Sequence, residues 1–243
     1  MLLALLLGLT AAAANLAGGL LIARRQWSGR YLKYFVALGA GFMLATALAE
    51  MIPASVDLRA GRTSTVFWIV LAGYLLVHFF EHTVAPHFHF GEETHHEEFA
   101  AARAGYTALL GLVIHTFFDG VAIASGFLVS GWLGGVIFIA IFLHKFPEGF
   151  TVASLMLASG QSRRVAFLSS ALLGAATLAG VGLMFAVRGA VAEALPFSAG
   201  VTLYVAASDL IPEVNREPGA GMALLVFIGV AAVLALTRSF HAL

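Results

Sequence analysis

The sequence contains no cysteine and very little charge. Of its 243 residues, 11% are Asp, Glu, Lys or Arg, 60% are hydrophobic, and the mean hydropathy is +0.95. Soluble domains are about 25% charged, so this composition excludes a water-soluble globule and also a disordered chain. The absence of cysteine excludes disulfides and thiolate metal sites. With 13 basic and 13 acidic residues there is no excess of positive charge, so we expect no nucleic-acid partner.

Long apolar segments, separated by short polar ones, fill most of the chain. Each is close to the ~20 residues that a helix needs to cross a bilayer, and the alternating pattern of a membrane barrel is absent. The sequence therefore predicts an all-α integral membrane protein that forms a single transmembrane domain over 1–243. The eight predicted spans cover about 2–23, 31–53, 65–83, 104–128, 132–159, 166–187, 194–213 and 219–237.

The distribution of Lys and Arg predicts how the spans are oriented. An even number of spans places both termini on one side, and cytoplasmic loops carry the excess of Lys and Arg. Eight basic residues fall in the loops opposite the termini: Arg24, Arg25, Arg30, Lys33, Arg103, Arg163, Arg164 and Arg216. Four fall on the side of the termini: Arg59, Arg62, Arg188 and Arg238. We therefore expect both termini to lie outside, in a multi-pass protein of the cell (inner) membrane.

The connection between the third and fourth spans differs from the other loops. Residues 82–98 read HTVAPHFHFGEETHHEE, and we interpret 84–103 as a cytoplasmic His-rich loop. Imidazoles and carboxylates are common ligands of divalent metals. The loop is therefore predicted to capture metal weakly through His87, His89, His95 and His96. A solvated polar loop without a ligand is the alternative.

Two spans carry the same ionisable motif in their apolar interior. Residues 115–120 read HTFFDG and residues 144–149 read HKFPEG. In each, the histidine and the acid are four residues apart and so share one helix face. An ionised side chain at the membrane centre costs about 3 kcal/mol, so such residues are expected to be functional. If the helices pack face to face, two imidazoles and two carboxylates meet, which suits a first-row divalent cation such as Zn²⁺. Intramembrane hydrogen bonding without a metal is the alternative.

A second motif, acid-x-Ile-Pro, occurs near the ends of two other spans. Residues 50–53 read EMIP in the second span, and residues 209–212 read DLIP in the seventh. These spans run in opposite directions, as do the fourth and fifth. Matching motifs on oppositely directed helices are typical of an inverted repeat. The sequence therefore predicts a 3+2+3 arrangement with alternating access around a midplane site, although chance placement of proline near helix ends would give the same pattern.

On these motifs the chain resembles the ZIP family of divalent metal transporters. The resemblance covers the eight spans, the His-rich loop and both His-x-Phe-x-acid-Gly segments. It implies a central metal site formed by His115, Asp119, His144, Glu148 and Met43. It also implies transport of Zn²⁺, with Fe²⁺, Mn²⁺, Co²⁺ or Cd²⁺ as other candidates, across the plasma membrane into the cytoplasm. The expected partners are the metal ion and the lipid bilayer, and a homodimer is left open.

The chain departs from the pattern of family members that hold two adjacent metals. Such members have Asn after the first histidine, an acid after the second and Glu in the sixth span, whereas this chain has Thr116, Lys145 and no carboxylate over 166–187. Because a protonated lysine offers only donors, we predict one metal, with the Lys145 ammonium standing in for the second. Asp119 replaces the usual Glu. The predicted transport pathway comprises Glu50, Lys145, Asp209 and Glu213.

An intramembrane zinc-dependent hydrolase is the competing interpretation. Such an enzyme would also gather His and Asp within the membrane, and it would need a base that does not bind the metal, for which Glu50 or Asp209 are candidates. The sequence has no His-Glu-x-x-His segment, so we expect no enzyme. A proton-conducting pump or channel is a third alternative.

Overall fold

The computed structural model describes residues 1–24, 30–83, 102–217 and 219–241. Within these ranges the chain is helical with short turns, and eight segments are long and apolar enough to cross a membrane. The α-helices are α1 (Leu2–Arg24), α2 (Arg30–Thr46), α3 (Ile52–Leu58), α4 (Thr63–Thr83), α5 (Ala102–Val129), α6 (Gly131–Ala158), α7 (Arg163–Ala186), α8 (Val191–Tyr204), α9 (Ile211–Arg216) and α10 (Ala220–His241). The predicted all-α membrane architecture is confirmed.

The second and seventh spans each contain a π-helical segment just before their proline. We call these segments π1 (Ala47–Met51), between α2 and α3, and π2 (Val205–Leu210), between α8 and α9. Proline has no amide and crowds the preceding turn, and the wider π turn accommodates both effects. The helices consequently continue to Leu58 and Arg216, beyond the ends at 53 and 213 expected from the sequence. The two acid-x-Ile-Pro motifs therefore share one local structure, as an inverted repeat requires.

The spans pack as two groups of four. The first bundle contains α1, α5, α6 and α7, and the second bundle contains α2, α4, α8 and α10 with the short helices α3 and α9. In the first bundle, α5 and α7 cross at two glycines. A Cβ added to Gly120 would lie 1.9 Å from the Thr177 carbonyl oxygen, and one added to Gly180 would lie 2.0 Å from the Phe117 carbonyl oxygen. Only glycine permits such close approach of two helix backbones.

Glycine also allows close backbone contact within the second bundle, whereas the contact at Gly39, between the two bundles, is of ordinary length. A Cβ on Gly41 would lie 2.0 Å from the Val226 carbonyl oxygen, where α2 meets α10. By contrast, a Cβ on Gly39, which faces α6 of the first bundle, would meet Leu143 Cβ at 3.6 Å, an ordinary contact. The helices within each bundle are thus joined by close backbone contacts at glycines, whereas Gly39, between the bundles, has contacts of ordinary length.

The chain passes between the two bundles three times. These changes of bundle fall between α1 and α2, between α4 and α5, and between α7 and α8, where Val187 and the 3₁₀ helix Arg188–Ala190 make the connection. Helices α5 and α6, which carry the two His-x-Phe-x-acid-Gly motifs, are neighbours in the first bundle, and α6 also packs against α2 of the second. The predicted metal site therefore lies where the bundles meet.

Candidate metal centre

A tight connection places the two motifs at the same depth. Helix α5 ends at Val129 and α6 begins at Gly131, and the Ser130 side chain caps α6 by accepting a hydrogen bond from the Leu133 amide at 3.0 Å. His115 lies 15 residues before Ser130 and His144 lies 14 residues after it. Because the two helices run in opposite directions from this turn, nearly equal distances along the chain bring the two histidines to the same level.

Four side chains converge at this level, and all of them are buried. Ligand atoms of His115, Asp119, His144 and Glu148 lie within 4.8 Å of one another. Asp119 Oδ2 is 3.2 Å from His115 Nε2 and 3.3 Å from His144 Nε2. The residues are at most 4% exposed. The predicted meeting of two imidazoles and two carboxylates is present in the structure.

Several polar atoms in the cluster are oriented as metal binding requires. His144 Nδ1 lies 3.2 Å from the Ala140 carbonyl oxygen; with the proton on Nδ1 it donates to that oxygen and leaves the Nε2 lone pair directed at the centre. Within the described residues, His115 Nδ1 and Asp119 Oδ1 are buried without a hydrogen-bond partner. Buried polar atoms are normally paired, so this unmet capacity fits a site that takes up a cation.

Lys145 lies inside the cluster and contacts both carboxylates. Its Nζ is 2.5 Å from Asp119 Oδ2 and 2.5 Å from Glu148 Oε2, and it lies 3.3 Å from Thr116 Oγ1. The Thr116 hydroxyl donates in turn to Glu148 Oε1. Lys145 is fully buried, so its ammonium offsets one of the two negative charges of the acids.

Met43, a further predicted metal ligand, and Glu50, a predicted pathway residue, lie where the second bundle packs against α6. Met43 is fully buried and packs in the same apolar cluster as Ala140, one turn before His144, and its role as a ligand stays a prediction. Glu50, in π1, is 7% exposed and accepts hydrogen bonds from Trp132 Nε1 at 3.3 Å and from the Thr237 hydroxyl. Glu50 therefore connects the second bundle to α6 of the first.

A second group of polar residues surrounds π2. Asp209 is buried and shares a hydrogen bond with Glu81, which accepts another from the Tyr204 hydroxyl at 2.9 Å. Glu213 is 3.6 Å from Arg216 Nη1. The sequence reasoning missed Glu81 because it is a lone acid close to the end of a span, and its only signal is its place within an apolar segment.

The predicted loop ligands are outside this description. His87, His89, His95 and His96 fall within 84–101, beyond the described residues.

Comparison with known families agrees with the geometry. The family model described as ZIP zinc transporter matches residues 91–237, which is more than half of the chain and includes all four residues of the buried cluster. No curated protein matches the chain. The family match, the eight apolar spans and the buried His, Asp and Glu side chains together show that the chain belongs to the ZIP zinc transporter family.

Proposed function

We propose that this divalent metal transporter carries Zn²⁺ across the cell membrane into the cytoplasm through the site formed by His115, Asp119, His144 and Glu148. The observation that supports the proposal is the convergence of these four side chains, with ligand atoms within 4.8 Å, in the interior of two membrane-spanning helices. The family consists of transporters, which disfavours the hydrolase interpretation.

The donor set explains how the site would take a metal out of water. Two neutral imidazoles and two carboxylates match the nitrogen and oxygen ligands and the coordination number that Zn²⁺ prefers. The carboxylates also offset the charge of the dication in a medium of low dielectric constant. The same donors accept Fe²⁺, Mn²⁺, Co²⁺ and Cd²⁺, because affinity order alone does not set selectivity. Zn²⁺ is the substrate on which we base the experiments.

The acids in the two π segments would guide the ion to and from the central site. With the termini outside, as the Lys and Arg distribution predicts, π1 lies toward the outer surface and π2 toward the cytoplasm. Glu50 would then receive the ion, and Asp209 and Glu213 would accept it after release. The His-rich loop would bind it last, on the cytoplasmic side. Movement of the first bundle against the second would change which side has access to the site.

Uptake of radioactive zinc into proteoliposomes tests the site. We expect Glu148→Gln to lower uptake by about 100-fold, because it removes one negative ligand and leaves the dication with a single carboxylate. Glu193→Gln is the matched control, since its side chain is 60% exposed in an ion pair with Arg59 far from the cluster, and it should transport like the unaltered protein. Unaltered uptake by Glu148→Gln would refute the site, and absence of uptake by the unaltered protein would refute the function.

A further inference from the structure

The Lys145 ammonium contacts both carboxylates of the proposed metal site. Its Nζ is 2.5 Å from one oxygen of Asp119 and one oxygen of Glu148. A metal bound by the same two oxygens would compete with the ammonium for them. The site therefore already holds one cation that is attached to the protein, and the metal is a second cation.

The attached ammonium has a simple consequence for the charge of the site. When no metal is bound, the carboxylates of Asp119 and Glu148 and the ammonium of Lys145 give the site one net negative charge. With Zn²⁺ bound and the ammonium retained nearby, it has one net positive charge. If residue 145 were neutral, the empty site would be doubly negative and the loaded site uncharged.

The magnitude of that net charge decides how easily the site changes its exposure. The cost of charge in a low-dielectric medium rises with the square of the net charge and does not depend on its sign. With lysine at position 145, the empty and loaded sites bear equal magnitudes. With a neutral residue there, the loaded site would have no net charge and would change its exposure easily. The empty site would bear two negative charges, so its change of exposure would cost more free energy.

We propose that Lys145 acts as a counter-cation fixed to the chain, and that its charge allows the carrier without metal to return to the state that is open to the outside. The inference rests on the proposed transport function and adds a role in the half of the cycle that carries no metal. Each net transport cycle requires this return, whereas exchange of metal on one side for metal on the other does not. Lys145 is thus a positioning residue for the empty state and not a metal ligand.

A neutral acceptor for the ammonium lies beside the two carboxylates. Thr116 Oγ1 lies 3.3 Å from Nζ and offers an acceptor that is not a carboxylate. Thr116 follows the histidine of α5 as Lys145 follows the histidine of α6. The two positions are equivalent in the paired motifs, so a lysine placed at 116 can reach the same carboxylates from the opposite helix.

Comparison of net uptake with exchange tests the proposal. Proteoliposomes receive external radioactive zinc either with no internal zinc, which measures net uptake, or with internal unlabelled zinc, which measures exchange. Potassium and valinomycin hold the membrane potential at zero in both cases. For the unaltered protein we expect the two rates to agree within about threefold, because the empty and loaded sites bear net charges of equal magnitude. Exchange faster than net uptake by about tenfold or more in the unaltered protein would overturn the proposal without any variant.

Variants of Lys145 supply the second part of the test. For Lys145→Met and Lys145→Gln, the ratio of net uptake to exchange should fall by about tenfold, equivalent to about 1.4 kcal/mol on the return barrier. Because glutamine keeps a hydrogen-bond donor, Lys145→Gln provides the test if Lys145→Met destabilises the fold. The double variant Thr116→Lys with Lys145→Thr should recover the ratio. A residue that only supports the structure would lower both rates together, so an unchanged ratio in these variants overturns the proposal.

The proposed function and the further inference fail in different ways. If the unaltered protein shows neither net uptake nor exchange, the transport function is refuted. If it shows both and the ratio does not respond to removal of the lysine, the transport function stands and only the role of Lys145 is refuted.

Discussion

Alanine at Gly41 and at Gly39 should affect stability very differently, although both glycines are buried in α2 and lie two residues apart. Gly41 faces α10 inside the second bundle, and Gly39 faces α6 of the first. Comparison of the two variants therefore tests whether the close backbone contact lies within the second bundle, at Gly41, and the ordinary contact lies between the bundles, at Gly39. The gain in helix propensity from Gly to Ala, about 0.8–1 kcal/mol, is common to both variants and cancels in the comparison.

The magnitude follows from the contact distances. A Cβ at Gly41 would lie 2.0 Å from the Val226 carbonyl oxygen, and real Cβ contacts are essentially never shorter than 3.0 Å, so α2 and α10 must separate by at least about 1 Å. Overpacking of this kind costs about 1–3 kcal/mol. A Cβ at Gly39 meets Leu143 Cβ at 3.6 Å and requires no displacement. The Gly41→Ala variant should therefore be the less stable of the two by about 1–3 kcal/mol.

Thermal unfolding of the purified protein in detergent, followed by tryptophan fluorescence, measures the difference. For a chain of this size, 1 kcal/mol shifts Tm by about 2–4 °C, so Gly41→Ala should unfold about 2–12 °C below Gly39→Ala. Equal Tm values for the two variants would show that α2 and α10 separate without cost, and the division into two rigid bundles would then be wrong.

Three further predictions concern the site and its supports. Zinc binding to the purified protein should weaken in His115→Ala and in His144→Ala, because each variant removes one imidazole from the cluster; unaltered affinity in both variants would exclude the two histidines as ligands. Anomalous scattering at the zinc edge should give one peak between α5 and α6, and two peaks about 3.5–4 Å apart would refute the single-metal site. Thr237→Val should lower the free energy of unfolding by about 1.5–3 kcal/mol, because buried Glu50 loses a donor; Ser239→Ala, whose hydroxyl bonds only within α10, is the control, and equal stability of the two variants would contradict the role of that bond.

The central site was predictable from the sequence because its spacing is a local property of helices. A histidine and an acid four residues apart share a face wherever the helix lies, and the motif occurs twice at nearly equal distances from Ser130. Lys145 was predicted to stand beside the metal. The structure places its ammonium between both carboxylates, a position that depends on the packing of α5 against α6 and that no spacing rule supplies.

Other features were not predictable from the sequence, because they depend on local adjustment of the backbone or on contacts between distant segments. Pro53 and Pro212 indicated helix ends, yet both spans continue, because the π turns before them absorb the crowding. Glycines occur in nearly every span, so the sequence does not say that Gly41 meets α10 while Gly39 meets α6. The partnership of Glu81 with Tyr204 joins residues 123 positions apart in the chain, and its partners were not identifiable from either segment alone.

The connection from α7 to α8 would limit the movement proposed for the two bundles. At the end where both termini emerge, only Val187 and the 3₁₀ helix Arg188–Ala190 join α7 to α8. A 3₁₀ helix rises about 2.0 Å per residue and an extended chain at most about 3.5 Å, so these four residues hold about 6 Å of slack. In the proposed movement of the bundles, a larger displacement at that end would have to unwind the last turn of α7 or the first turn of α8.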